Sequence, residues 1–348
     1  MESFYSSLGD GEKRAFVGTL FRLHNQFLLA VGFPQPYYLV LDHSLLVALR
    51  DGMTKDGERA SFLALSTFCH FLTRHSGYDV KASITPLSLF EWLERKPLRD
   101  EARFHAAMKE IAGHLASVGL PLYQAGCGSF KEARKNIDHI IGDVKRISGA
   151  LAKVRGKKWE IEISQGDFVY FPPYLTERLV PKIRLRYFSP HYVRSALRSN
   201  IDRELITKSS DKYVRSKLRN EGVNKMAALV KFKKAELKGA GDLGLLQVCD
   251  LGSQFLRGAR QTMVGLTLDG TLEDVLRHHS ALHVDSEPIV AGRDDEESMK
   301  RKITDCFTRA SFFDRQGEAQ REFRAKFAEF FGRLANAWEP DGDAGAGT

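Results

Sequence analysis

Cysteine is scarce: Cys69, Cys127, Cys249 and Cys306 lie far apart, with no C-x-x-C pair among them. That spacing excludes a zinc ribbon and points to reduced thiols in a cytoplasmic protein. No apolar run approaches the ~18–20 residues that span a bilayer, so no membrane segment is expected. Met1-Glu2-Ser3-Phe4-Tyr5 lacks the basic-then-apolar order of a signal peptide. Repeats and low-complexity tracts are missing too, apart from a Gly/Ala/Asp tail after Pro340 whose composition predicts disorder. What remains is an ordinary globular composition, 43% hydrophobic and 28% charged over 348 residues. That length suits two average domains, or one core domain carrying a large insertion.

Charge is unevenly spread. Between Lys145 and Lys238 there are 23 Lys and Arg against 9 Asp and Glu, a local balance of +14. The whole chain is +8, so the remainder carries −6. A basic segment beside an acidic remainder is the pattern of a polyanion-binding surface next to a carboxylate-rich site.

The organising stretch is Tyr37 to Arg50. Tyr37-Tyr38-Leu39-Val40-Leu41 is a short apolar run after a proline, which predicts a strand buried on both faces of a parallel sheet. It ends in Asp42, and Leu45, Leu46, Val47 and Leu49 start a helix. A carboxylate at such a strand end faces the crevice where open α/β sheets place their ligands. An opening helix over 10–31 is predicted to end at Gly32 and Pro34, and Ser61 to Thr73 predicts another. Tyr78 to Ile84 reads as a second strand, followed by Thr85 as N-cap, Pro86 at the first helical position, and Glu91 near the start of the helix. Arg99 to Val118 predicts a further helix, and Phe130 to Val154 a long polar one. Trp159 to Phe171 reads as a hairpin with one wet face. Phe188 to Ile206 and Asp211 to Lys238 read as basic helices. Asp242 opens a mostly apolar helix after Gly239-Ala240-Gly241, Thr262 to Leu268 is a buried strand ending at Asp269, and Ala281 to Val284 is a last strand. Phe312 to Ala337 closes the chain as a Phe-rich helix.

Four acids thus occupy comparable settings. Asp42 and Asp269 end strands, whereas Glu91 and Asp242 are read in helix first turns. In a parallel sheet, strand C-termini and the helix N-termini that follow share one rim. Singly, each acid is also explained by capping or by the helix dipole. Together they form a set of hard oxygen donors suited to Mg²⁺ or Mn²⁺, which can activate water toward a phosphodiester.

These motifs resemble PIN-domain nucleases. The likeness is carried by Leu41-Asp42-His43-Ser44-Leu45-Leu46, by Ile84-Thr85-Pro86-Leu87-Ser88-Leu89-Phe90-Glu91, by Gly241-Asp242-Leu243-Gly244 and by Leu266-Thr267-Leu268-Asp269-Gly270. The resemblance implies an α/β fold with a central parallel sheet flanked by helices. It also implies Asp42, Glu91, Asp242 and Asp269 as catalytic metal ligands, with Ser44 and Thr267 orienting water or carboxylates. Asp250 is a rival for the third acid; Asp242 is preferred because it starts its helix, whereas Asp250 is read two turns inside. Compact PIN domains lack so long a span between Glu91 and Asp242. The expected organisation is therefore a discontinuous core of 1–118 and 239–310, a basic inserted region of 119–238 containing helices and a small hairpin, a C-terminal helix of 311–338 and a disordered tail of 339–348.

The function this implies is a metal-dependent endonuclease, with RNA favoured over DNA by the resemblance. The resemblance also allows a toxin or defence role and a regulatory protein partner. Lys212, Arg215, Lys217, Arg219, Lys231, Lys233 and Lys234 are the expected phosphate-backbone contacts. A rival ribonuclease signature, Arg followed by His, occurs at Arg99 to His105 and Arg277 to His283, but its all-helical HEPN fold conflicts with the strands read here. The other rival is a non-catalytic PIN-like scaffold that binds nucleic acid or a protein without cutting.

Overall fold

The computed structural model describes residues 8–52, 59–154, 183–208, 212, 231–233, 236–280 and 296–338. In chain order, α1 (Asp10–Leu28) is followed by β1 (Tyr37–Leu41), α2 (His43–Asp51), α3 (Arg59–Arg74) and β2 (Val80–Ile84). Next come α4 (Pro86–Trp92), α5 (Glu101–Ser117), β3 (Leu122–Gln124), α6 (Phe130–Val154) and α7 (Pro190–Lys208). A short antiparallel pair, β4 (Lys231–Lys233) and β5 (Glu236–Lys238), precedes α8 (Ala240–Cys249) and α9 (Leu251–Leu256). The described chain ends with β6 (Thr262–Leu266), α10 (Gly270–Ser280) and α11 (Glu296–Trp338).

The main sheet is parallel, four-stranded and flanked by helices, in the order β3-β2-β1-β6. β1 is buried at all five positions, as its unbroken apolar run dictates. The chain steps outward from β1 through β2 to β3, and later returns to the other side of β1. The C-terminal ends of β1 and β6 therefore flank the point where strand order reverses, which is where such sheets form a ligand crevice.

Several expectations need correction. The sheet takes its edge strand, Leu122–Gln124, from the stretch read as the start of the insertion. Three residues are too short to carry a period-2 signal, and parallel pairing with Ala82–Ile84 supplies what the sequence pattern lacks. Lys231 and Lys233 stand on β4 of an antiparallel pair, not on a helix. Their Lys, Ala and Leu neighbours favour helix, and cross-strand pairing overrides so weak a preference. The closing helix begins at Glu296, ahead of the predicted Phe312. The predicted hairpin at 159–171, the strand at 281–284 and the tail lie outside the described residues, as do Arg215, Lys217, Arg219 and Lys234. Among the described residues, no helix is long and apolar enough to cross a membrane. Cys69, Cys127 and Cys249 are free and buried.

α11 lies across α1 and α3 through Phe323, Phe327 and Phe330, all buried. The Gln316 and Gln320 amides donate to the carbonyls of Leu29 and Leu28, at 3.0 Å each, and so bind the end of α1. Gly32, at φ +96°, lets the Gln316 backbone approach to 2.9 Å from where a Cβ would stand. His24 of α1 is wedged into this interface between the Phe323 and Phe327 rings, with its Nε2 buried and without a hydrogen-bond partner among the described residues.

Burial lowers the His24 pKa from its ordinary value of 6.5, opposed by a hydrogen bond with Asn25 and reinforced by Arg324. Below about 6.5 the unfolded chain binds this proton and the folded one resists it, so stability is full above that pH and is lost as pH falls toward the depressed folded value. The thermal midpoint should therefore drop between pH 7 and pH 5, and His24→Phe should flatten that slope. His43 and His70 are also depressed by burial, so some slope will survive. An unchanged pH profile in His24→Phe would remove His24 from the account.

Candidate acidic site at the strand switch point

Asp42 leaves β1 as the N-cap of α2. Its Oδ1 accepts the His43 amide at 2.7 Å, and its Oδ2 accepts the hydroxyls of Ser44 at 2.8 Å and Thr267 at 3.0 Å. Thr267 is fully buried just beyond β6, and its Oγ1 also accepts the Asp269 amide at 2.9 Å. One hydroxyl thus ties the two strand-end acids together. Asp269 in turn caps α10, its Oδ1 accepting the amides of Thr271 and Leu272 at 2.7 and 3.1 Å. Ser44 and Thr267, read as orienting residues, hold the Asp42 carboxylate.

The β6–α10 link is itself held from α1. The Gln26 side chain donates to the Thr267 carbonyl at 2.9 Å and accepts its amide at 2.8 Å, as a neighbouring strand would. Arg22 donates to the Leu268 carbonyl at 3.0 Å and pairs with Glu273 of α10 at 2.9 Å. The only sequence signal for these clamps is a glutamine among the apolar residues of α1.

Glu91 and Asp242 reach the rim in different ways. Asp242 is in the first turn of α8, as read. Glu91 is not near the start of its helix: α4 is only seven residues long, and Glu91 is its penultimate residue. The helix ends early because the chain turns at Leu93 into two left-handed residues, Glu94 and Arg95, both at φ 59°. Two glycines then let α8 come against α4. A Cβ on Gly241 would stand 2.5 Å from Glu91 Oε1, and one on Gly244 would stand 2.0 Å from Leu87 Cδ2. Glu91 thereby reaches the N-terminal turn that carries Asp242. Gly244→Ala should overpack this contact at a cost of about 1–3 kcal/mol. Leu87→Ala/Gly244→Ala should recover part of it in a double-mutant cycle read by urea unfolding, and additivity would refute the contact.

The electrostatics follow from this convergence. Asp242 is pushed up to about 7, first by burial and then by the charges of Asp42, Glu91 and Asp269, with Arg95 opposing. Glu91 is raised chiefly by burial and also by Asp42, again against Arg95. Among the described residues, Asp242 makes no hydrogen bond through its carboxylate. Asp42, Glu91 and Asp269 thus each act on Asp242, and Asp42 also acts on Glu91. Their donor chemistry suits a hard divalent cation. As they stand, however, no three His, Cys, Asp or Glu side chains among the described residues are disposed to hold a metal ion.

Asp250, the rival for the third acid, has partners of its own. It is not inside a helix but at the break between α8 and α9, where it caps α9 through the Ser253 amide at 2.9 Å and accepts the Tyr192 hydroxyl. Of the basic residues read as backbone contacts, Lys212 is exposed. A cavity of about 470 Å³ lies elsewhere, at the opposite ends of the strands, lined by Phe33, Phe255, Phe312 and Arg315 and by no acid. No protein-family model, curated protein or solved structure matches this chain.

Proposed function

We propose that this chain is a divalent-metal-dependent nuclease with a PIN-like site, hydrolysing phosphodiester bonds, with RNA favoured over DNA. The observation that carries the reading is the gathering of acids at the switch point: Thr267 bonds both Asp42 and Asp269, Glu91 lies against Gly241 beside Asp242, and Asp242 is pushed up to about 7, first by burial and then by the other three charges. Structural acids are usually paired with cations or backbone donors; among the described residues Arg95 is the cation that opposes the rise at Asp242. Asp42, Glu91, Asp242 and Asp269 would hold Mg²⁺ or Mn²⁺. Such an ion supplies charge neutralisation and a more acidic bound water.

The chain's own residues do the positioning. The cap bonds of Asp42 and Asp269, bridged by Thr267, fix two carboxylates at the switch point. Ser44 orients Asp42 from within α2. Glu91 and Asp242 close the opposite side through the α4–α8 contact at Gly241. The basic segment that includes Lys212, Lys231 and Lys233 would hold the nucleic-acid backbone, with affinity that falls with salt.

A second reading, a PIN-like scaffold that binds nucleic acid or a protein without cutting, is favoured by one observation: the acids as they stand do not form a metal-holding group among the described residues. Incubating the full chain with labelled RNA and DNA in Mg²⁺, Mn²⁺ or EDTA separates the two. Cleavage that requires the metal supports the nuclease. Salt-sensitive binding with no cleavage in any metal supports the scaffold.

A further inference from the structure

The acids carry a problem that the nuclease reading leaves open: four carboxylates repel the phosphodiester they are meant to receive. Arg95 stands where that repulsion can be offset. Its Nη2 donates to Glu91 Oε1 at 3.2 Å, yet its side chain is 57% exposed while that of Glu91 is 10% exposed. One guanidinium donor is spent on Glu91, and the fork still presents others to solvent.

Its backbone is unusual for a residue whose only task is an ion pair. Glu94 and Arg95 are consecutive non-glycine residues in the left-handed region. The turn has backbone bonds of its own, the amides of Glu94, Arg95 and Lys96 donating to the carbonyls of Glu91, Phe90 and Leu93, beside the side-chain pairs of Arg95 with Glu91 and Glu94 with Lys96. An i,i+4 pair whose arginine is largely exposed returns less than a left-handed side-chain-bearing residue costs, so glycine would suit position 95 better on stability alone. Left-handed residues kept against that cost are characteristic of working sites. A second arginine flanks the same side: Arg50 of α2 lies 5.3 Å over the Trp92 ring and is held by Asp51 at 2.8 and 3.2 Å. Arg50 and Arg95 both act on the ring of His43, which directly follows Asp42.

We propose that Arg95 is the phosphate-orienting residue of the acidic site, releasing Glu91 to bind a non-bridging oxygen of the phosphodiester, with Arg50 as a flanking cation on the strand's path. The inference rests on the nuclease reading for its substrate. Arginine rather than lysine suits the role because its planar fork matches two phosphate oxygens.

The test uses the full chain with Arg95→Gln, Arg95→Lys and Arg95→Gly. Cleavage is measured in Mn²⁺. Affinity for a fluorescein-labelled single-stranded RNA is measured by anisotropy over a salt series, in an Asp42→Asn background so that nothing is cut. Arg95→Gln and Arg95→Gly should each weaken binding about tenfold, lower the log–log salt slope by about 1, and reduce kcat/KM by about 10²-fold. Arg95→Lys should recover part of the affinity. Arg95→Gly should melt at or above the wild-type temperature, because φ 59° suits glycine. Affinity and kcat/KM within twofold of wild type in both truncations would overturn the proposal, as would losses explained by a lower melting temperature. If the wild-type chain cuts nothing in any metal, the nuclease reading fails by itself. The binding arm still decides Arg95, supporting a phosphate contact if the slope falls and refuting it if not.

Discussion

Asp42→Asn is expected to reduce metal-dependent cleavage by about 10³-fold or more while leaving the fold intact. The separation is possible because Asp42 has two jobs. As the N-cap of α2 it accepts the His43 amide, and asparagine caps as well as aspartate does, so the start of α2 should persist. As a site residue it contributes a negative charge that asparagine lacks. The replacement also turns an amide donor toward the hydroxyls of Ser44 and Thr267, which now donate to Oδ2. Asp269→Asn should behave likewise, since its cap bonds to Thr271 and Leu272 need only one acceptor oxygen. The measurement is single-turnover cleavage of labelled RNA in Mn²⁺, alongside circular dichroism and thermal unfolding. Wild-type rates in either variant would remove these acids from the chemistry. A collapsed melting temperature would instead show that the cap, not the charge, is what matters.

How much of this was legible in the sequence differs by element. β1 and β6 could be read because each is a short apolar run that stops at an aspartate, and both acids were read at those stops. Asp242 was legible through the Gly239-Ala240-Gly241 punctuation before it. The place of Glu91 was not. A proline at the first helical position suggested a longer helix, and nothing local signals that Glu94 and Arg95 turn left-handed and end it after seven residues. The α4–α8 approach was hidden as well, because Gly241 and Gly244 look like punctuation until Glu91 and Leu87 lie against them. Asp250 looked internal to a helix because its neighbours keep an apolar pattern through a break that only Tyr192 and Ser253 reveal. The clamps of Gln26 on Thr267 span 241 residues of sequence, beyond the reach of any periodicity. Local pattern thus located the acids, and tertiary contact decided what holds them together.

The same distinction sets the largest stability effect expected away from the acids. Asp143 of α6 is wholly buried, and its carboxylate accepts the backbone amides of Arg186, Tyr187 and Phe188 at 2.7–3.1 Å, with Arg146 at 2.8 Å on Oδ1. The segment it holds continues directly to α8: Gln247 accepts the Ser189 amide at 2.6 Å and donates to the Tyr187 carbonyl at 3.2 Å. Asp143→Ala would leave three amides without their acceptor and Arg146 without its partner, at a cost of about 3–5 kcal/mol. That is a large part of a typical domain's ~5–15 kcal/mol. Asp143→Asn should be nearly as harmful, because its amide group must face donors on at least one side. Urea unfolding measures the loss, and hydrogen exchange at Tyr187 and Phe188 locates it. If water replaces the carboxylate freely, the loss will stay below about 1 kcal/mol, and the anchor role fails. If the loss is large, unprotected amides at 186–188 should be accompanied by faster exchange in α8, since Gln247 joins that segment to the helix bearing Asp242.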